Sequence, residues 1–317
     1  MKVLVTGANG FIGAALLQRL LADELVTGIV AAVRSSVCDF PTGVERIVVG
    51  GIDEANDWRD ALTDCEVVIH LAARVHVMQE AATDPLAEFR RVNVQGTLNL
   101  ARQAAAAGVR RFVFVSSIKV NGEATQLGRP FTADDAPAPL DAYGVSKMEA
   151  EQGLREIARE TGMEVVIIRP PLVYGPGVKA NFAALMRWLK RGVPLPLGAI
   201  HNQRSLVSID NLVDLLVTCS THPAAANQTF LVSDGEDVST TELIRRMGQT
   251  MGRPARLLPV SANWLKLAAA MVGKRDVAQR LCGSLQVDIE KTQRLLGWTP
   301  LLSLDEGLKR AARGVPL

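Results

Sequence analysis

Apolar runs alternate with stretches of helical period along the first half of the chain. Lys2–Thr6, Gly28–Val33, Arg46–Val49, Glu66–His70, Phe112–Val115 and Val165–Ile168 read as buried strands. Ala14–Leu21, Pro85–Ala107 and Gly144–Glu160 carry the longer helical period between them. This alternation predicts an α/β fold, a doubly wound parallel sheet with helices on both faces. After about Arg169 the elements shorten, and Pro170, Pro171, Pro176, Pro194 and Pro196 cluster. The change of pattern divides the chain into residues 1–169 and a smaller α/β lobe over 170–317. No internal repeat and no low-complexity stretch is present.

The first strand runs into three glycines at intervals of three, Gly7, Gly10 and Gly13, and then into a helix, Ala14-Ala-Leu-Leu-Gln-Arg-Leu-Leu. Strand, glycine turn and helix form the context of a dinucleotide fingerprint. Side chains at Gly7 and Gly10 would keep a pyrophosphate from the backbone N–H groups, and Gly13 lets helix pack on strand. The helix N-terminus adds unpaired donors and a partial positive charge. In an open parallel sheet ligands lie beyond the carboxyl ends of the strands, and Gly7, His70 and Ser117 all fall at such ends.

Further along, Tyr143 and Lys147 stand four apart in Ala142-Tyr-Gly-Val-Ser-Lys147, a spacing that puts both on one helix face. An ammonium there favours phenolate over phenol and lowers the tyrosine's pKa. Ser117, closing the run Arg111-Phe-Val-Phe-Val-Ser-Ser117, offers a hydroxyl to the same substrate oxygen; Ser116 is the alternative hydroxyl.

Composition narrows the class. With 317 residues the chain is long enough for a sizeable core and two lobes. A net charge of +2 and 4% aromatic residues argue against a polyanion or stacked bases as partner, so no nucleic acid is expected. No run reaches the length of a membrane span, Trp264-Leu-Lys-Leu-Ala-Ala-Ala-Met-Val272 being short and interrupted by a lysine, and no membrane partner is expected. The chain begins in a strand with no charged-then-apolar leader, which with the scattered Cys38, Cys65, Cys219 and Cys282 predicts a cytoplasmic protein with reduced thiols. No metal constellation is visible, and His70 and His76 read as lone structural histidines.

The motifs fall in a known order. Gly7-x-x-Gly-x-x-Gly13, His70-Leu-Ala-Ala73, Asn93-Val-x-Gly-Thr97, Ser117-x-x-Val-x-Gly122, Tyr143-x-x-x-Lys147 and Arg169-Pro-Pro-Leu-Val-Tyr-Gly-Pro-Gly177 resemble the extended short-chain dehydrogenase/reductases. Within these the chain looks like the NAD(P)-dependent sugar-nucleotide epimerase/dehydratase group, and the likeness runs from Lys2 to Leu295-Leu-Gly-Trp-Thr-Pro300. The resemblance implies a Rossmann domain with an interleaved nucleotide-sugar lobe. It implies Ser117, Tyr143 and Lys147 as catalytic residues. It sets the dinucleotide against Gly7, Asn9, Gly10, Phe11, Ile12, Gly13, Arg34, Ile52, Leu71, Ala72, Ala73, Asn93, Ser116, Tyr143, Lys147 and Pro170. The UDP-sugar would meet Lys119, Asn181, Leu197, Arg204 and Arg280, with Arg275 a second candidate for the distal arginine. The family also pairs the helices Pro85–Ala107 and Gly144–Glu160 across a homodimer.

Departures from the family pattern shape the reading. Arg34 replaces the usual acidic residue after the second strand and suits a 2′-phosphate, which favours NADP over NAD. Gly51-Ile52 replaces an aspartate followed by an aliphatic residue, so the adenine loses a contact unless Asp53 supplies it. Ser117-Ile118-Lys119 lacks the acid and base of a dehydratase. Leu172 takes the place of a family asparagine, and Leu285 that of a tyrosine or cysteine that gates the sugar, which leaves room for an N-acetyl group. The expected chemistry is hydride transfer at C4 of a UDP-linked hexose or N-acetylhexosamine. The preferred reading is a 4-keto-sugar reductase, with a UDP-glucose or UDP-N-acetylglucosamine 4-epimerase as the alternative. A non-catalytic NADP(H)-binding sensor is a distant third, because the Tyr-Lys pair is retained.

Overall fold

The computed structural model describes residues 1–35, 39–75, 84–178, 180–271, 273 and 275–313, without the side chains of residues 180, 181, 275 and 276. Cys38 and His76 lie outside the described residues. The chain runs β1 (Lys2–Thr6), α1 (Phe11–Leu21), β2 (Gly28–Val33), β3 (Val44–Val48), α2 (Arg59–Leu62), β4 (Val67–His70), α3 (Pro85–Arg90), α4 (Thr97–Ala106), β5 (Arg111–Val115), α5 (Ala142–Thr161) and β6 (Glu164–Arg169). It continues β7 (Leu172–Tyr174), α6 (Ala180–Lys190), β8 (Arg204–Ser208), α7 (Ile209–Thr221), β9 (Thr229–Leu231), β10 (Asp237–Val238), α8 (Thr240–Thr250), α9 (Ala262–Met271), α10 (Arg275–Cys282), α11 (Glu290–Leu296) and α12 (Leu304–Arg313).

The main sheet has the order β3-β2-β1-β4-β5-β6-β9 and is parallel throughout. This is the doubly wound Rossmann-type α/β arrangement that the sequence pattern predicts. Both faces are covered. Val3 and Val5 pack with Leu16, Leu17 and Leu20 of α1 and with Leu212 and Leu216 of α7. Leu4, between them, faces Leu100 and Ala104 of α4 and Leu154 and Ile157 of α5. The chain winds outward from β1 through β2 and β3, then turns back to β4, so the winding reverses between β1 and β4. A crevice opens at such a point above the strand ends.

Most element boundaries shift by one to three residues, and two departures have a clear local cause. The third strand begins at Val44 rather than Arg46, because β3 is the sheet edge and pairs from Val44 opposite Ile29, while its outer positions stay exposed. The predicted helix Pro85–Ala107 is interrupted by a wide π turn, Arg91–Gly96, between α3 and α4. A Cβ on Gly96 would lie 2.6 Å from Cγ2 of Ile52, so the glycine admits the loop after β3 against this turn.

Beyond Arg169, β7 and β8 pair in parallel and β10 joins antiparallel, forming a separate three-stranded sheet. Tyr174, Phe182, Met186, Leu206, Ile244, Met247 and Leu308 make its core. Between β8 and β10 the chain returns to the main sheet, where β9 pairs with β6 and α7 packs against α1.

His70 closes the β1–β4 crevice from below and is fully buried. Its Nδ1 meets Thr6 Oγ1 at 2.7 Å, its Nε2 meets Thr97 Oγ1 at 3.0 Å, and its ring stacks on Phe114. Burial, with the nearby Lys147 ammonium, holds the imidazole down at about 3. Unfolding therefore takes up a proton once the pH drops below the ordinary histidine range, and the stability His70 contributes near neutrality is lost as pH falls. The unfolding free energy from urea titration should drop by about 2 kcal/mol between pH 7 and pH 5 on this account, and a His70→Gln variant should show a correspondingly smaller drop.

Candidate active site

The glycine turn fits an anionic diphosphate. Gly7 has φ +67°, the left-handed region that glycine adopts freely. A Cβ there would lie 2.9 Å from the backbone nitrogen of Ala72, so the loop after β4 rests directly on the turn. A Cβ on Gly13 would come within 2.2 Å of the Gly7 carbonyl oxygen, which is the close helix packing expected of the third glycine. Gly10 is the N-cap of α1, and no side chain caps that helix. Its first turn, with Phe11 and Ile12 half-buried, leaves donors and the positive end of the helix dipole open at the crevice. Asn9 is exposed on the turn. Leu71, Ala72 and Ala73 line the other side, half-buried, and the Ala72 N–H donates to Thr6 Oγ1. At the adenine end Ile52 packs into the core beside Gly96, while Arg34 stands exposed just after β2. Asp53 does not replace the missing family aspartate freely, since its Oδ1 accepts the N–H of Ala55.

Tyr143 and Lys147 lie in the first turns of α5, which Asp141 caps by accepting the Gly144 N–H at 2.7 Å. The Lys147 ammonium is buried, donates to the Val115 carbonyl at 2.8 Å and sits 4.3 Å above the Phe114 ring. Burial brings it down to about 7, opposed by the carboxylate of Glu151. Tyr143 is half-buried, edge-on to Phe89. Its phenol is pushed up to about 12, chiefly by loss of water and further by Asp141. This corrects the expectation of a lowered tyrosine: without dinucleotide, desolvation outweighs the nearby amine, whose own charge burial already weakens.

Ser117 follows β5 in extended backbone (φ −157°, ψ 148°), and its Oγ accepts the N–H of Lys119 at 3.2 Å. As acceptor there, the hydroxyl keeps its proton for another partner. Ser116 has its hydroxyl proton committed, since its buried Oγ donates to Glu151 Oε1 at 2.6 Å, which favours Ser117 as the hydroxyl with a proton to give. Glu151 is the centre of a buried brace. Arg169, at the end of β6, donates to both its oxygens at 2.9 and 2.6 Å and also to Asn121 Oδ1 at 2.9 Å. Pro170, next in line, uses its carbonyl to accept the Ile118 N–H. Both residues therefore fix the Ser117 loop.

Other residues expected at the site have partners within the chain. Asn93 is buried in the π turn, where it accepts from the Arg74 N–H and donates to the Arg74 carbonyl and Ser146 Oγ. Its amide thus ties the loop after β4 to α5. Lys119 pairs with Glu123 and with Asp141, the residue that caps α5. Leu197 is buried in the second core, and its carbonyl accepts the Thr241 hydroxyl. Neighbouring Leu195 and Gly198 pair with residues 256–258. Leu285 is buried in the main core and pairs with Arg204, so no gate to the sugar is seen there. Leu172 is exposed. Asn181 lies in α6, with its side chain outside what is described.

Arg204 is the arginine that the sequence singles out for the diphosphate. It stands at the start of β8, and burial lowers its pKa. Its Nη1 donates to the carbonyls of Arg280 and Gly283. No carboxylate pairs with it among the described residues, so a desolvated cation is left for a ligand. The same bonds bring the backbone of Arg280 beside it. Glu151, Asn121 and Asp141 were missed by sequence reading. Glu151 was within reach of it, as the next residue on the same face in Tyr-x-x-x-Lys-x-x-x-Glu.

Tyr143 is one of two tyrosines, and Tyr174 is also pushed up by burial and by Asp234. An alkaline titration followed by tyrosinate absorbance should therefore show no ionisation near pH 10 in the dinucleotide-free protein, and one tyrosine should ionise at lower pH once oxidised dinucleotide is added. The brace makes a separate prediction. Glu151→Ala strands a buried guanidinium and should cost about 3–5 kcal/mol in chemical unfolding, whereas the double change Glu151→Leu with Arg169→Met should recover most of that loss.

Comparison with known proteins agrees with this geometry. Residues 3–233 match the model of the NAD dependent epimerase/dehydratase family. The chain is 50% identical over 315 residues to a UDP-glucose 4-epimerase of Vibrio cholerae, covering 98% of this chain and 94% of the relative. The solved structure of MoeE5 in complex with UDP-glucose and NAD superposes with a TM-score of 0.77 at 27% identity, over 99% of this chain and 98% of that one. The UDP-glucuronic acid 4-epimerase of Bacillus cereus, in complex with UDP-glucuronic acid and NAD, shares the fold with a TM-score of 0.80 at 23% identity, over 99% of both chains. From its glycine cradle, its Ser-Tyr-Lys group and this match over most of its length, the chain belongs to the NAD dependent epimerase/dehydratase family of enzymes.

Proposed function

We propose that this enzyme is a UDP-sugar 4-epimerase that holds NAD and interconverts UDP-glucose with its C4 epimer. The observation that carries the reading is the 50% identity to the Vibrio cholerae UDP-glucose 4-epimerase across nearly all of both chains. It outweighs the argument from Arg34, which favoured an exchangeable NADPH and hence a reductase. Arg34 is exposed at the edge of the site, and an arginine there is compatible with an unphosphorylated ribose. NAD is the dinucleotide bound in MoeE5 and is the better-supported cofactor.

The residues fit NAD at the turn of Gly7, Gly10 and Gly13 and under the loop of Leu71 to Ala73. When bound, oxidised NAD would supply a hydride acceptor for C4 and a positive charge to the site. Against that charge Tyr143 gives up its proton more easily than in the free protein and then takes the proton of the C4 hydroxyl. Ser117 donates its hydrogen to the same oxygen. Lys147, held on the Val115 carbonyl, adds its charge from one turn further along the same helix face. Arg204, with Arg280 beside it, anchors the diphosphate, so that the hexose can turn between the two half-reactions. Tyr143 returns the proton to the C4 oxygen, which becomes a hydroxyl again once the C4 carbon has regained a hydride on its other face. Helices α4 and α5 are the surfaces that a homodimer of the family type would pair.

The test is conversion of UDP-glucose by the purified protein. A mixture of the two epimers should form with no net change in reduced dinucleotide, and Tyr143→Phe should lower turnover by about 10²–10⁴-fold while dinucleotide still binds. Net consumption of NADPH with a UDP-4-keto sugar, and no epimerisation, would replace this reading with the reductase.

A further inference from the structure

Helix α9 is apolar on both sides. Its inner face sets Ala262 and Leu265 against the second core. Its outer face presents Trp264, Leu267 and Met271, which are 69%, 53% and 76% exposed. Spaced by three and four, these form one stripe along the helix. Only Asn263 and Lys266 in Ala-Asn-Trp-Leu-Lys-Leu-Ala-Ala-Ala-Met are polar. A helix on the surface of a water-soluble domain keeps its outer face polar, and one that is apolar all round has a cover. Helix α10 packs on α9 but leaves this stripe open. Leu258, 51% exposed, lies just before the helix.

Charge decides between covers. From Arg253 to Arg275 the chain has Arg253, Arg256, Lys266, Lys274 and Arg275 and no acidic residue, although the whole protein carries 35 basic against 33 acidic residues. Arg256 and Lys266 are exposed, Lys266 lying within α9 between Trp264 and Leu267. A second copy of the chain related by a two-fold axis would bring the same patch onto itself and face cation with cation. An anionic lipid surface matches both parts of the patch: the stripe enters the acyl boundary and the cations meet the headgroups. We propose that α9 seats this protein on the surface of an anionic membrane. Ten residues are too few to cross a bilayer, and among the described residues no helix is long and apolar enough to do so. The anchor lies in the interface plane, which revises the sequence expectation of no membrane partner.

Vesicle co-sedimentation of the purified full chain tests this. The protein should pellet with vesicles of equal parts phosphatidylcholine and phosphatidylglycerol, release at high salt, and stay in solution with phosphatidylcholine alone. Leu267→Gln with Met271→Gln should weaken partitioning about tenfold or more, and Arg256→Gln with Lys266→Gln should weaken it and reduce its salt dependence. Circular dichroism and turnover in solution should be unchanged in both, since neither pair touches the Ser-Tyr-Lys group. Failure to bind anionic vesicles, or equal binding by the apolar double variant, would overturn the anchor. If wild type instead sediments as a dimer that the apolar variant dissociates, with no vesicle binding, a second copy covers α9 and the lipid assignment is wrong.

Discussion

The buried carboxylate of Glu151 holds together the parts that must meet at the reaction centre. It sits on α5, four residues beyond Lys147, and receives the guanidinium of Arg169 from the end of β6 and the hydroxyl of Ser116 from the end of β5. Arg155 adds a third contact at 3.1 Å. A fully desolvated carboxylate is tolerated only because these donors satisfy it. The consequence is register. Helix α5 cannot slide against β5 and β6 without breaking charge-assisted bonds in a low-dielectric interior. Tyr143, Lys147 and the Ser117 loop inherit that fixed relation.

Electrostatics at the centre follow from dryness more than from pairing. Lys147 has a carbonyl and an aromatic face as partners, not a carboxylate in direct contact, and burial lowers it to about 7. The same burial raises Tyr143 to about 12. Both shifts point towards neutral groups in the dinucleotide-free protein. Arg204 shows the same logic in the substrate lobe, a desolvated cation whose known partners are carbonyls. Each place stands to gain from charge of the complementary kind, negative at Arg204 and positive near the phenol.

Several polar residues near the crevice are scaffolding. Asn93 links Arg74 to Ser146, His70 links Thr6 to Thr97, and Lys119 links Glu123 to Asp141. Asn93 and Lys119 each lie within a motif that sequence reading assigns to ligands, and each has these partners inside the chain. The hydrogen-bond capacity of an amide or ammonium is finite. Once it is filled by backbone and side chains, proximity to a cofactor no longer implies contact with it.

The sequence by itself determined the layered parallel sheet, the glycine turn and the Ser-Tyr-Lys group. These rest on local signals: apolar runs, glycines at fixed intervals and a four-residue helical spacing survive without knowledge of distant contacts. It also determined that Arg204 would be a candidate cation, since an arginine just before an apolar strand is visible in one dimension. What only the tertiary structure decided is which polar groups are already engaged. Ser116 and Ser117 are adjacent and chemically identical, yet Glu151, thirty-five residues away from Ser116, engages one and leaves the other's proton available. The sign of the Tyr143 shift and the uncovered face of α9 were likewise undecided, because desolvation and exposure are properties of what packs around a residue and not of the residue.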